Sequence, residues 1–277
     1  MNKKLIKFLK IFVIIVLVLY ATVCALLYFN QDDLLFHPQP NTPKEVTEIL
    51  NKYPEFDTLS FVMKDGNRTC GYISKDTLKE KLPLVLYFGG NAEEVSHLAD
   101  YKAYFPNSIM VLMNYRSFGL SQGKISEQTM FSDALEVYDK LSTNPEVDSK
   151  NVIVLGRSIG TGVATYVSSQ RQVNATVLIT PYESIIDVAQ EKYPFVPIGL
   201  FIKHPFKSKE YATSITSPVL SLIAKNDQVI PPHHAHNLME SWKGNTEVFE
   251  VNEDHSTIMK NEEVWKRIEG FVKENIK

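Results

Sequence analysis

From residue 82 onward, short apolar runs alternate with stretches in which apolar residues recur every three or four positions. The runs 82–88, 108–114, 151–155, 175–180, 219–224 and 246–251 read as strands. The stretches 93–104, 126–141, 161–172, 233–242 and 262–276 read as helices, and in the second of them Met130, Ala134, Leu135, Tyr138 and Leu141 share one face. Ahead of this alternation, 59–63 and 70–73 form a predicted hairpin about the turn dipeptide Asp65-Gly66. Near-continuous apolar strands separated by amphipathic helices predict an α/β fold, a mostly parallel sheet with helices on both faces. Ligands in such sheets gather at the carboxyl ends of the strands.

The first apolar run is of another kind. Residues 11–31 carry no charge and 11–29 are almost wholly apolar, enough helix to cross about 30 Å of hydrocarbon. Lys3, Lys4, Lys7 and Lys10 precede it, and Asp32 and Asp33 follow. The run is longer than a usual signal-peptide core, and Ala21-Thr22-Val23-Cys24-Ala25 is a poor cleavage site, so the pattern predicts an uncleaved transmembrane anchor. Positive-inside bias then predicts a cytoplasmic N-terminus and an extracytoplasmic domain. The chain divides into residues 1–36, comprising basic stub, anchor and post-anchor segment, and a single domain over residues 37–277.

Charge narrows the partners. The chain has 29 Lys and Arg against 32 Asp and Glu, and leaving out the four lysines before the anchor leaves 25 against 32, or −7. This argues against a nucleic-acid partner. Cys24 and Cys70 are the only cysteines, and Cys24 lies inside the predicted span, so no disulfide within the domain is expected.

Gly156-Arg157-Ser158-Ile159-Gly160 stands directly behind the apolar run 151–155. A Gly-x-Ser-x-Gly match arises by chance in roughly one chain in ten of this length. Its place between a predicted strand and a predicted helix is more telling, because that turn exposes a serine hydroxyl and frees it to react. A reactive serine needs a base, and the base an orienting carboxylate. Asp227 follows the strand 219–224, and His255 follows the strand 246–251. The order Ser158, Asp227, His255 is the chain order of α/β-hydrolases. His255 is expected to take the Ser158 proton while Asp227 holds the other ring nitrogen. Glu183 is a less favoured substitute acid, and Glu253 and Asp254 are too tightly tethered to His255 to orient its ring. An oxyanion hole is expected from the backbone N–H of Ile159 and that of Asn91, in the loop Gly89-Gly90-Asn91-Ala92 after the strand 82–88. His233, His234 and His236 are expected on the exposed first turn of a helix rather than at a metal, and the chemistry calls for no metal or other cofactor.

These residues resemble the membrane-anchored α/β-hydrolases of the Bem46 type, related to the mammalian α/β-hydrolase domain-containing proteins 12, 13 and 17. The resemblance extends from about residue 31 to the C-terminus. It rests on Gly156-Arg157-Ser158-Ile159-Gly160-Thr161-Gly162, on Asn114-Tyr115-Arg116-Ser117-Phe118-Gly119-Leu120-Ser121-Gln122-Gly123, and on Gln31 with Leu35-Phe36-His37-Pro38. Two positions depart from the family pattern. Gly89 stands where the family has a histidine that braces the oxyanion loop, and Asn114 stands where it has an aspartate.

The resemblance implies an α/β-hydrolase fold and hydrolysis of acyl esters or thioesters, with lipids among the candidate substrates. The insertion between the fourth and fifth predicted parallel strands, about 184–217, is the expected short cap; it carries an apolar stretch with two prolines over 193–202. Arg116 is expected to support loops near the site. The competing functions are a peptidase or amidase, and a catalytically silent, membrane-tethered binding protein on the same fold.

Overall fold

A computed structural model describes residues 3–75 and 80–276. The first helix, α1 (Lys3–Phe29), buries none of its residues and is long and apolar enough to cross a membrane. A short α2 (Gln31–Leu35) and α3 (Pro43–Lys52) lead into the domain. Helix α3 has no counterpart among the sequence-predicted elements, although its start signal is present. Thr42 and Glu45 form a reciprocal capping box, and Pro43 occupies the first turn, where its missing N–H does no harm.

The sheet comprises β1 (Phe56–Val62), β2 (Arg68–Ser74), β3 (Leu82–Phe88), β4 (Ile109–Met113), β5 (Val147–Arg157), β6 (Ala175–Ile179), β7 (Val219–Ala224) and β8 (Thr246–Val251). Its order is β1-β2-β4-β3-β5-β6-β7-β8. The expected hairpin β1/β2 is antiparallel and joins β4 antiparallel, and every later pairing is parallel. The pleat divides the core in two. On β3, Leu84, Leu86 and Phe88 face one apolar cluster, while Val85 and Tyr87 face the other. Helices α4 (Glu127–Ser142) and α5 (Ile159–Gln170) cover the first side. The second is covered by α10 (Glu262–Asn275), which buries Val264, Trp265, Ile268, Phe271 and Val272. Edge strand β8 alternates in burial, as a strand covered on one side should.

The stretch expected as a helix over 93–104 is instead a run of 3-10 turns, Val95–Tyr104. Val95, Leu98, Tyr101 and Tyr104 all turn toward the second cluster at a spacing of three, the repeat of a 3-10 helix. Tyr101 stacks on Trp265 with ring centroids 3.8 Å apart, which fixes that register.

Between β6 and β7 the chain forms α6 (Ile185–Lys192), α7 (Ile198–Phe201) and α8 (Ser208–Ala212); α9 (Pro232–Met239) follows β7. Glu127, at the start of α4, reaches across to this region and accepts the Phe206 N–H at 3.1 Å. Burial pushes its carboxyl up from 4.5 to about 7. The unfolded chain ionises Glu127 at its ordinary value while the folded chain holds the proton longer. Stability present at acid pH is therefore lost as pH rises through that window. Glu127→Gln keeps the acceptor oxygen and cannot ionise. The variant is expected to gain melting temperature relative to the parent at about pH 8 and little at about pH 4, read by thermal scans of both proteins.

Candidate active site

Strand β5 ends at Arg157 and α5 begins at Ile159, so Ser158 alone makes the turn between them. It does so at φ 51°, ψ −123°, a conformation that costs a non-glycine residue roughly 1–3 kcal/mol. The surroundings enforce it. Ser158 N–H donates to the Ile179 carbonyl at 2.9 Å, and its own carbonyl accepts from Thr161 N–H and Oγ1 at 2.9 and 2.6 Å. The flanking glycines are required by close approach. A Cβ on Gly160 would sit 2.2 Å from the Phe88 carbonyl oxygen, and one on Gly156 would sit 2.4 Å from that of Gly160. The same crowding presses the end of β3 against the first turn of α5, which sets the loop after β3 beside Ser158.

Two later strand ends converge on the serine. His255 Nε2 lies 3.0 Å from Ser158 Oγ, and His255 Nδ1 lies 2.7 Å from Asp227 Oδ2. The loops that carry them extend the β7/β8 pairing: Lys225 N–H donates to the Val251 carbonyl at 2.9 Å and Asn226 N–H to that of Glu253 at 3.0 Å. Asp227 is buried, and its second oxygen, Oδ1, accepts the Val229 and Ile230 N–H groups at 2.8 Å each. Asp254 accepts Ser256 and Thr257 N–H at 2.8 Å each, forming the tight turn that presents His255. Glu253 bonds Asn261 instead of the imidazole.

The Gly89-Gly90-Asn91-Ala92 loop lies on the other side of the serine. Gly90 N–H is taken by Glu93 Oε2 at 2.8 Å, whereas among the described residues no protein acceptor engages the N–H of Asn91 or Ile159. A cavity of about 630 Å³ opens here, lined by Gly90, Asn91, Ala92, Ser158 and His255, and also by Gln39, Pro40 and Asn41 at the start of the domain. Glu45, Glu93, Glu94 and Arg157 make the lining strongly polar.

Residues 118–256 match the dienelactone hydrolase family, half of the chain and all three of the converging side chains. The chain belongs to that family. This dienelactone hydrolase family member is 27% identical over 221 residues to an uncharacterized protein of Mycobacterium tuberculosis, covering 79% of this chain and 78% of the relative. It is 26% identical over 200 residues to Protein bem46 of Schizosaccharomyces pombe, covering 69% of this chain and 65% of that protein, in line with the resemblance read from the sequence. An esterase of Pyrococcus furiosus has the same fold, with a TM-score of 0.66 at 18% identity over 87% of this chain and 97% of the esterase. The α/β-hydrolase architecture implied by the resemblance is thus the one found.

What braces the Gly89-Gly90-Asn91-Ala92 loop of this dienelactone hydrolase family member escaped sequence reasoning. In place of a histidine at Gly89, the buried Glu93 carboxylate gathers Gly90 N–H, Tyr87 Oη at 2.6 Å and Arg157 Nη1 at 2.9 Å. Arg157 also points Nη2 at the His255 carbonyl, 3.4 Å away, so one ion pair ties the loop after β3 to the loop after β8. Tyr115 Oη donates to the Gly89 carbonyl at 3.0 Å. From the end of α2 and just beyond it, His37 N–H donates to the Asn91 carbonyl at 2.9 Å, and Asn91 Nδ2 donates to the Leu35 carbonyl at 3.2 Å. The available signal was a charged residue at or past the carboxyl end of each of two buried strands, Glu93 in the loop after β3 and Arg157 at the close of β5. Removing one partner of a buried pair leaves the other charge uncompensated, so Glu93→Ala is expected to cost about 3–5 kcal/mol in a denaturation experiment.

Asn114 explains its own departure from the family pattern. Its Oδ1 accepts Val95 N–H at 3.2 Å and its Nδ2 donates to Glu94 Oε1 at 2.8 Å. An aspartate would set two carboxylates against each other there. Arg116 grips Asp133 through Nε and Nη2 at 2.7 and 2.8 Å and reaches Asp65 with Nη1, joining the β1/β2 turn to α4.

Of the α9 histidines, His234 departs from the expectation of an exposed turn. His233 and His236 are half-exposed beside Glu191 and Glu250, but His234 is buried and its Nδ1 lies 2.7 Å from Glu183. The reason is the sheet end beneath it: Glu183, just past β6, needs a partner once buried. Burial alone would raise its carboxyl, and the hydrogen bonds from His234 and Asn237 outweigh that and hold it below the ordinary range. Glu183 is thereby committed to α9 and does not reach His255.

Proposed function

We propose that this chain is a serine hydrolase that cleaves acyl esters or thioesters through an acyl-enzyme. The observation that carries the reading is the continuous line from Ser158 Oγ through both nitrogens of His255 to Asp227, at 3.0 and 2.7 Å. In the first half-reaction Ser158 Oγ attacks the carbonyl carbon and its proton passes to His255 Nε2. Negative charge develops on the carbonyl oxygen, and the uncommitted N–H groups of Asn91 and Ile159 are the donors assigned to it. Collapse expels the alcohol or thiol, which takes the proton from His255. Water then gives a proton to Nε2 as it attacks the acyl carbon, releasing the acid and restoring Ser158. Asp227 keeps the ring in the required tautomer throughout. No step calls for a metal.

The family is one of hydrolases and the Pyrococcus furiosus neighbour is an esterase, which supports the ester reading. The cavity refines it. Carboxylates and a guanidinium in the wall suit a polar moiety of the substrate there better than an alkyl chain.

The same reading makes α1 a transmembrane anchor, with residues 37–277 as the hydrolase domain and about 184–217 as its cap. Four lysines before the apolar run and Asp32 and Asp33 after it support a cytoplasmic N-terminus and an extracytoplasmic active site. A fluorophosphonate probe applied to the full chain in detergent is expected to label Ser158 alone, identified by mass spectrometry of the adduct peptide. A folded protein that takes up no probe would instead be a silent member of the fold.

A further inference from the structure

Residues 193–202, between α6 and β7, carry no charged side chain and are bracketed by Lys192 and Lys203. Among the described residues, Phe195 and Leu200 are the two most exposed large apolar side chains, at 86% and 80%. They do not face open water at random. Tyr20 Oη, within α1, donates to the Phe195 carbonyl at 2.8 Å. At the other end of the stretch, Gln31 Nε2 donates to the Phe201 carbonyl at 2.9 Å, and Gln31 Oε1 accepts Lys203 N–H at 2.7 Å. The stretch is therefore strapped alongside the second half of α1 and the start of α2, beginning level with Tyr20 and ending level with Gln31.

That placement sets a depth. Tyr20 lies about 14 Å along the helix axis from Phe29, the end of the apolar run, at ~1.5 Å per residue. A group bonded to Tyr20 is then inside the hydrocarbon if α1 crosses a membrane.

The backbone suits that solvent. Pro194 and Pro197 have no N–H to satisfy, and the N–H groups of Val196, Ile198, Leu200 and Ile202 bond within the stretch. Gln190 Nε2 donates to the Tyr193 and Pro194 carbonyls at 3.3 and 3.4 Å. Pairing these backbone groups within the stretch lowers the cost of placing them against lipid. Lys203, with its ammonium 4.9 Å from the Tyr28 ring, and Lys192 have stems long enough to reach headgroup phosphates.

We propose that residues 193–202 are a second membrane-embedded element, seated in the leaflet nearest the domain beside α1, with lipid acyl chains covering Phe195, Leu200 and Phe201. The proposal rests on the reading of α1 as a membrane anchor. The contacts to Tyr20 in α1 and to Gln31 at the start of α2 also set an order of depth, with Phe195 below Leu200.

Tryptophan quenching tests it on the full chain in phosphatidylcholine vesicles containing lipids brominated at defined acyl positions. Native Trp242 and Trp265 are buried in the domain and give a constant background. Phe195→Trp and Leu200→Trp are compared with Leu17→Trp in α1 and with Lys150→Trp, an exposed position in the early part of β5, upstream of Ser158. The expected result is quenching of both insertion variants several-fold above Lys150→Trp, with deep bromines favouring Phe195→Trp and shallow ones Leu200→Trp. If Leu17→Trp is quenched and the insertion variants match Lys150→Trp, the proposal is overturned while the anchor stands. A second copy of the chain covering the stretch gives that same outcome, with both insertion variants shielded from aqueous iodide. If Leu17→Trp is also unquenched, the anchor reading fails and takes the proposal with it.

Discussion

Ser158→Ala is expected to lower kcat for a p-nitrophenyl ester by about 10⁶-fold while leaving the melting temperature close to that of the parent. The size of the loss follows from what the hydroxyl does in the proposed reaction. Without Oγ no acyl-enzyme forms, and only the oxyanion donors and substrate positioning remain. The fold should tolerate the change, because the hydrogen bonds that hold the turn at residue 158 come from its backbone N–H and carbonyl. Steady-state hydrolysis by the full chain, paired with a thermal scan, checks both halves. Turnover within ten-fold of the parent would sink the nucleophile assignment.

Asp227→Asn is expected to reduce kcat by about 10⁴-fold with little change in KM, by analogy with the same exchange in other triads. The structure supplies the reason an asparagine cannot simply turn over to compensate. Oδ1 is held by two N–H donors, from Val229 and Ile230, so the amide oxygen of the substitute must stay there. Its NH₂ then faces His255 Nδ1, which has to accept. That moves the imidazole proton to Nε2, opposite the Ser158 hydroxyl, where a base is needed. Fluorophosphonate labelling rates should fall in parallel with ester turnover. Near-parental labelling would mean that Asp227 does not set the tautomer.

Much of this arrangement is legible in the sequence because buried parallel strands announce themselves. The boundaries expected at 82–88, 219–224 and 246–251 coincide with β3, β7 and β8, where apolar runs end abruptly at polar turns. Ser158, Asp227 and His255 stand at or just past such ends, so topology alone brings them together. Less legible are elements whose reason lies elsewhere in the fold. The 3-10 run at Val95–Tyr104 depends on Trp265, far along the chain. Glu93 and Arg157 are unremarkable as neighbours of a glycine loop and a serine until β3 and β5 lie side by side. His234 looks like a surface residue on α9 until Glu183 is found beneath it.

Asn91 exchanges hydrogen bonds with Leu35 and His37, residues that follow almost directly on the end of α1. On the proposed reading of α1 as a membrane anchor, so short a connection gives the domain no leash on which to wander and holds the serine at a fixed height above the lipid. Encounter with a membrane-borne substrate then becomes a search over an area. Turnover of such a substrate should scale with its mole fraction in the bilayer rather than with its bulk concentration, and diluting vesicles at constant composition should leave the rate per enzyme unchanged.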